Sequence, residues 1–169
     1  MSKPGDKDWL PHDEYLRRVP KKRVSAGVIF LNSRREVLMV KPTYKSVWVI
    51  PGGVINQYES PQDGAIREVH EETGLTVSSP QFIGVVHAPR PGEGDDVMHF
   101  FFYGGVLSDD VQLTLQAAEL ETWKFMPVAD VSRYAVPQFA ARLTSLLTAI
   151  EDQRPVYIQE PSVVDGGRI

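Results

Sequence analysis

Apolar positions along the chain fall into short runs punctuated by proline, glycine and charge, and the period inside each run separates strand from helix. Arg23–Leu31 (RVSAGVIFL) and residues 37–41 (VLMVK) are β-branched and apolar and meet at Asn32, Ser33 and Arg34, which predicts a hairpin. Residues 47–50 read as a third short strand entering Pro51, Gly52 and Gly53. From Ser60 to Gly74 the period changes. Ser60 offers a capping acceptor, Pro61 suits the first turn, Asp63 places an acid near the exposed amides, and Gly74 suits a left-handed closing residue, so a helix is predicted between them. Ala65, Ile66, Val69 and Thr73 form its narrow apolar stripe, which faces a core. Residues 81–87, 97–107 and 122–126 are strand-like, and Pro137 opens a helix whose apolar side carries Phe139, Leu143, Leu146, Leu147 and Ile150. Residues 1–20 read as an irregular arm with Trp9, Leu10, Tyr15 and Leu16 available to dock, and the tail from Gln153 has a short strand at 156–158. Periodicity by itself supports an α/β or α+β chain and no more.

Composition narrows the function classes. A length of 169 residues with 42% hydrophobic content fits one domain with a sizeable core. The net charge of -4 gives no general attraction to nucleic acid or anionic membrane, so stable nucleic-acid binding is not expected, and a polyphosphate partner has to be held locally. Cysteine is absent, which excludes disulfides and thiolate chemistry. No apolar run reaches a membrane span and the first residues lack the hydrophobic region of a signal peptide, so a cytoplasmic protein is expected.

The chemistry concentrates on the helix that follows Gly53. Glu68, Glu71 and Glu72 fall within an arc of roughly 100° beside the apolar stripe. Like charges at this spacing repel, and acids in the last turns oppose the helix dipole; neutralising Glu72 alone is worth roughly 0.5 to 1 kcal/mol. A hard divalent cation, Mg2+ or Mn2+, would favour the arrangement, because such ions take several carboxylate oxygens. The competing reading is a solvated acidic face with Arg67 paired to Glu71.

From Gly53 the spacing runs glycine, five residues, Glu59, seven residues, Arg67, Glu68, Val69, one residue, Glu71, Glu72, one residue, Gly74, Leu75. This resembles the signature box of the Nudix hydrolase family at every defined position, a match expected by chance on the order of once in ten million chains. The resemblance reaches outward through Trp48, Pro51 and Gly52 and as far as Trp123. It implies a mixed β-sheet sandwiched between helices, the α/β/α Nudix architecture, over residues 22–151, with an arm at 1–21 and a tail at 152–169. It also implies metal-dependent hydrolysis of the pyrophosphate bond of a nucleoside diphosphate linked to another moiety. Tyr58 and Gly64 depart from the residues most members carry, without removing a chemical group.

The same resemblance suggests roles. Glu68, Glu71 and Glu72 are the expected metal ligands, joined by a backbone carbonyl of Gly52. Glu59 either completes the metal shell or accepts a pair from Arg67, and Arg67 orients a box glutamate. The general base is either Glu68 or a later loop glutamate, with Glu119 preferred over Glu121. Lys41, Lys45 and Arg90 are candidate phosphate contacts or merely solvated cations, and Trp48 and Phe101 are candidate base platforms or buried core. None of the histidines shows ligand spacing. Pro91, 16 residues past Leu75, hints at ADP-ribose or nucleotide-sugar cleavage, while a nucleoside triphosphate substrate and a homodimer both stay open. A related isomerase chemistry needs a cysteine that this chain lacks. The alternative to an enzyme is a nucleotide-sensing regulatory module that does not cleave its ligand.

Overall fold

The computed structural model describes residues 10–89 and 96–161. Arg90 and Pro91 lie outside the described residues, as do Trp9 and the last residues of the tail. Seven strands, β1 (Arg23–Leu31), β2 (Val37–Pro42), β3 (Gly52–Val54), β4 (Gln81–Ala88), β5 (Val97–Val106), β6 (Leu120–Met126) and β7 (Val156–Gln159), form one mixed sheet. Its order is β6-β2-β1-β5-β4-β7, with β3 pairing β1 beside that path. The central pair β1 and β5 is parallel, as is β4 with β7 at the edge, and the remaining pairings are antiparallel.

β1 is nearly continuously apolar because both of its faces are covered. Alternate residues serve opposite cores. Ala26, Val28 and Phe30 pack with Leu38, Phe102, Ala65 and Val69 of helix α2 (Pro61–Thr73). Ile29 and Leu31 pack on the other side with Ile83, Leu143 and Leu146, beneath α3 (Val128–Tyr134) and α4 (Pro137–Glu151). The expected sandwich is therefore present, with α2 and its glutamates alone on one face.

Two expectations need correction, and one helix was not foreseen. The third strand is Gly52–Val54 and not residues 47–50. In the latter only Val49 bridges Val40, and the neighbouring Trp48 N–H is drawn away to the carbonyl of Tyr134 at 2.8 Å. The arm contains a helix, α1 (His12–Arg18), whose acids stand in its first turn and whose arginines stand in its last, so both ends complement the helix dipole. α3 escapes the apolar pattern because only Val131 in it is buried. The tail strand does form, and it extends the sheet along β4.

Candidate active site

α2 begins and ends where local chemistry dictates. Ser60 is extended and its Oγ accepts the Asp63 N–H at 3.1 Å, while Gly74 closes the helix at φ 72° and donates to the carbonyl of His70. Ala65, Val69 and Thr73 are buried, as the stripe requires. The three acids beside the stripe then meet different environments. Glu71 is exposed, Glu68 is half-buried, and Glu72 retains only 7% of its surface.

Two segments from elsewhere enclose Glu72. Its Oε2 accepts the N–H of Gly52 at 2.9 Å, and its backbone carbonyl accepts the N–H of Gln116 at 3.1 Å. Gly52 can approach so closely because it has no side chain: at φ 145° a Cβ there would stand 2.2 Å from the carbonyl oxygen of Ala26. A Cβ on Gly53 would stand 2.5 Å from the Glu68 carboxyl carbon, so this position too is kept bare for the acid opposite. Burial pushes the Glu72 carboxyl up to about 7; the Gly52 N–H opposes this, and the charges of Glu68, Glu119 and Glu71 add to it.

Arg67 is the hub that holds the other acids. Its Nε and Nη2 donate to the two oxygens of Glu59 at 2.8 and 2.9 Å, and its Nη1 reaches Glu68 at 2.8 Å and Glu71 at 2.9 Å. Glu59, clasped by Arg67 and by the Asn56 N–H, is held down to about 2. The same partners, Glu59 foremost, push the guanidinium further up. Of the two roles open to Glu59, the pairing with Arg67 is the one the geometry displays. Glu59 does not line the acidic cavity described next, although Arg67 ties it to Glu68, which does.

Glu68, Glu71, Glu72 and Glu119 converge on one cavity of about 400 Å³, with Gly52 and Arg67 also in its wall. Glu119 reaches it from just before β6, where Gln116 Nε2 contacts its Oε1 at 3.4 Å. Glu121 instead pairs with Lys41 at 2.6 Å, which sets it apart from Glu119, the acid preferred in sequence. Among the described residues, no three acidic or imidazole groups stand ready as a finished metal cage, and Arg67, which draws Glu68 and Glu71 onto itself, gives the physical reason. The donor set still suits a hard divalent cation. The donors are carboxylates, and one of them is buried with its charge disfavoured by three neighbouring acids, a site that gains by taking up positive charge.

A second cavity of about 1010 Å³ adjoins the first, sharing Tyr44, Gly52, Gly53, Val54 and Glu72 with it. Trp48 and Phe101 both line it, but only Trp48 is half-exposed; Phe101 keeps 5% of its surface and stacks on Phe139 as part of the core. Sequence reading picked out Lys45 and Glu72 in the cavity wall but missed other polar residues there. Ser25 Oγ is hydrogen-bonded to His99 Nδ1, and Arg142 of α4 donates to Glu160 just past β7 at 2.5 Å. Register signals the first pair, since Ser25 and His99 are direct neighbours on β1 and β5, but only once the strand order is known. No local signal marks the second. Tyr44, missed as well, is a solvent-exposed aromatic at the junction of the two cavities.

A parallel-cored sandwich carrying this glutamate helix defines a Nudix-type domain, and the comparisons agree. The NUDIX domain profile matches residues 21–147, and the chain belongs to that family. Nudix hydrolase 8 of Arabidopsis thaliana is 32% identical over 129 residues, covering 72% of this chain and 34% of the relative. An ADP-ribose pyrophosphatase of Bacillus subtilis is 27% identical, over 73% of this chain and 66% of that protein. The chain thus spans about a third to two thirds of the length of these relatives. Among solved structures, the MutT protein of Methanosarcina mazei Go1 superposes with a TM-score of 0.64 at 22% identity, covering 80% of this chain and 97% of the other, a likeness of fold.

Proposed function

We propose that this domain hydrolyses the pyrophosphate bond of a nucleoside diphosphate linked to a second moiety, of the ADP-ribose or nucleotide-sugar type, with Mg2+ or Mn2+ bound at Glu68, Glu71, Glu72 and the Gly52 backbone. The observation that carries this reading is that the two cavities, one acidic and one lined with aromatic groups, share Glu72 and the Gly52 and Gly53 backbone as walls. A pyrophosphate lying across that junction has its reacting phosphorus beside the glutamates and its organic part in the larger space. That space is large enough for a nucleoside and a second group. The relative named as an ADP-ribose pyrophosphatase supports the same substrate class.

A bound divalent ion supplies positive charge against the phosphate oxygens and makes water a better nucleophile. The chain's own residues do the remainder. Glu68 takes the proton as the water oxygen bonds to phosphorus, the bridging P–O bond breaks, and the bridging oxygen leaves with the other phosphoryl group. Glu119 is the alternative proton acceptor on the opposite wall. Arg67 keeps Glu68 and Glu71 oriented and neutralises part of their mutual repulsion.

The test is a hydrolysis panel of ADP-ribose, nucleoside diphosphate sugars, nucleoside triphosphates and dinucleotides, with EDTA, Mg2+ or Mn2+. Turnover of at least one compound only with an ion present is the expected result. Binding without turnover under every condition would instead support the sensing module.

A further inference from the structure

Three cationic side chains line the two cavities, and their commitments differ. Arg67 is bound to Glu59, Glu68 and Glu71, and Arg142 is bound to Glu160. Lys45 has no carboxylate partner among the described residues. Its ammonium instead lies 5.2 Å from the ring centroid of Tyr44, the residue that walls both cavities. Two further described cations outside the cavities are also occupied: Lys41 pairs with Glu121, and Lys124 lies over the rings of Trp48 and Tyr134. A pyrophosphate bridge carries one charge on each phosphate. The phosphate over the glutamates is served by the divalent ion, and the other, on the far side of Tyr44, needs a cation from the larger cavity.

We propose that Lys45 is that cation, a substrate-binding residue for the second phosphate, and that with only this one uncommitted charge among the described residues the cleft takes two-phosphate bridges in preference to triphosphates. The inference rests on the pyrophosphatase reading above and adds to it which phosphate chain the cleft accepts. The terminal phosphate of a triphosphate brings further negative charge for which the described lining has no unpaired cation. Tyr44 contributes by holding the ammonium on its ring face and so limiting the lysine's freedom before substrate arrives. Lys45 is exposed, so replacing it leaves the cores intact.

The experiment compares wild type, Lys45→Ala and Lys45→Arg with ADP-ribose, UDP-glucose and ATP in Mg2+. Melting temperatures, expected to be equal, serve as the control. For the two bridged diphosphates, Lys45→Ala is expected to raise KM about tenfold, the lower end for a lost hydrogen bond to a charged group, with kcat within about twofold. Lys45→Arg should restore most of the loss, and added salt should raise KM less in the alanine variant than in wild type. Wild type should use ADP-ribose or UDP-glucose at least about tenfold better than ATP by kcat/KM. An unchanged KM in Lys45→Ala, an arginine variant no better than alanine, or a preference for ATP overturns the inference. If wild type turns over none of the three and no other compound of the hydrolysis panel, the pyrophosphatase reading fails separately. Lys45 is then judged by calorimetric binding of ADP-ribose in Mg2+, where equal affinity of wild type and Lys45→Ala refutes it.

Discussion

Replacing Glu72 by glutamine should stabilise the protein when no divalent ion is present, and the structure makes the effect larger than charge spacing along the helix suggests. The folded carboxyl holds its proton up to about pH 7, whereas the ordinary value is 4.5. Between those values the native state binds more protons than the unfolded chain, so this group's contribution falls as pH rises and is fully lost above about 7. The difference amounts to about 3 kcal/mol at pH 8 and about 1.5 kcal/mol at pH 5.5. Glutamine carries no charge, and its carbonyl can still accept the Gly52 N–H. In EDTA at pH 8, Glu72→Gln should therefore melt about 6 to 12 °C above wild type, with the gap roughly halved at pH 5.5. Saturating Mg2+ should close the gap at pH 8, because wild type gains about 2.7 kcal/mol at a hundredfold excess over Kd while the variant binds poorly. Calorimetric melting of both proteins at the two pH values, with and without Mg2+, gives the comparison. A variant that melts below wild type in EDTA at pH 8, or a gap independent of pH, would refute the picture of Glu72 as a buried acid waiting for a cation.

Glu68→Gln should lower kcat at least about a hundredfold, the lower range for a catalytic acid or base, and Glu119→Gln distinctly less; a more damaging Glu119→Gln with unchanged metal affinity assigns the base to the loop. Gly53→Ala should displace the Glu68 carboxylate and lower kcat while leaving the melting temperature within a few degrees, since the atoms in the way belong to a movable side chain. Equal activity would show that Glu68 can work from elsewhere. Glu160→Gln should destabilise by about 3 kcal/mol, because it leaves the nearly buried guanidinium of Arg142 without its carboxylate; a shift below about 1 kcal/mol in denaturant unfolding would mean that the pair is solvated.

The helix and its carboxylates were legible in sequence because their causes are local. Ser60, Pro61 and Gly74 act within a turn of the helix ends, and the Ala65, Val69, Thr73 stripe needs only a fixed period. The strands 81–88 and 97–106 were readable for the same reason, while residues 47–50 were misread and α3 went unread because distant partners decide them. Tertiary structure alone made three equivalent glutamates unequal. Glu72 is buried because β3 and the Gln116 segment close over it, and Glu71 stays outside. Glu119 and Glu121, two positions apart, were separated by which of them Lys41 can reach on the neighbouring strand. Lys45 was one cation among several until Lys41 was seen to be paired with Glu121. Charge type and helical period are written residue by residue, but desolvation and pairing depend on what the folded chain brings alongside, and here those contacts span tens of residues.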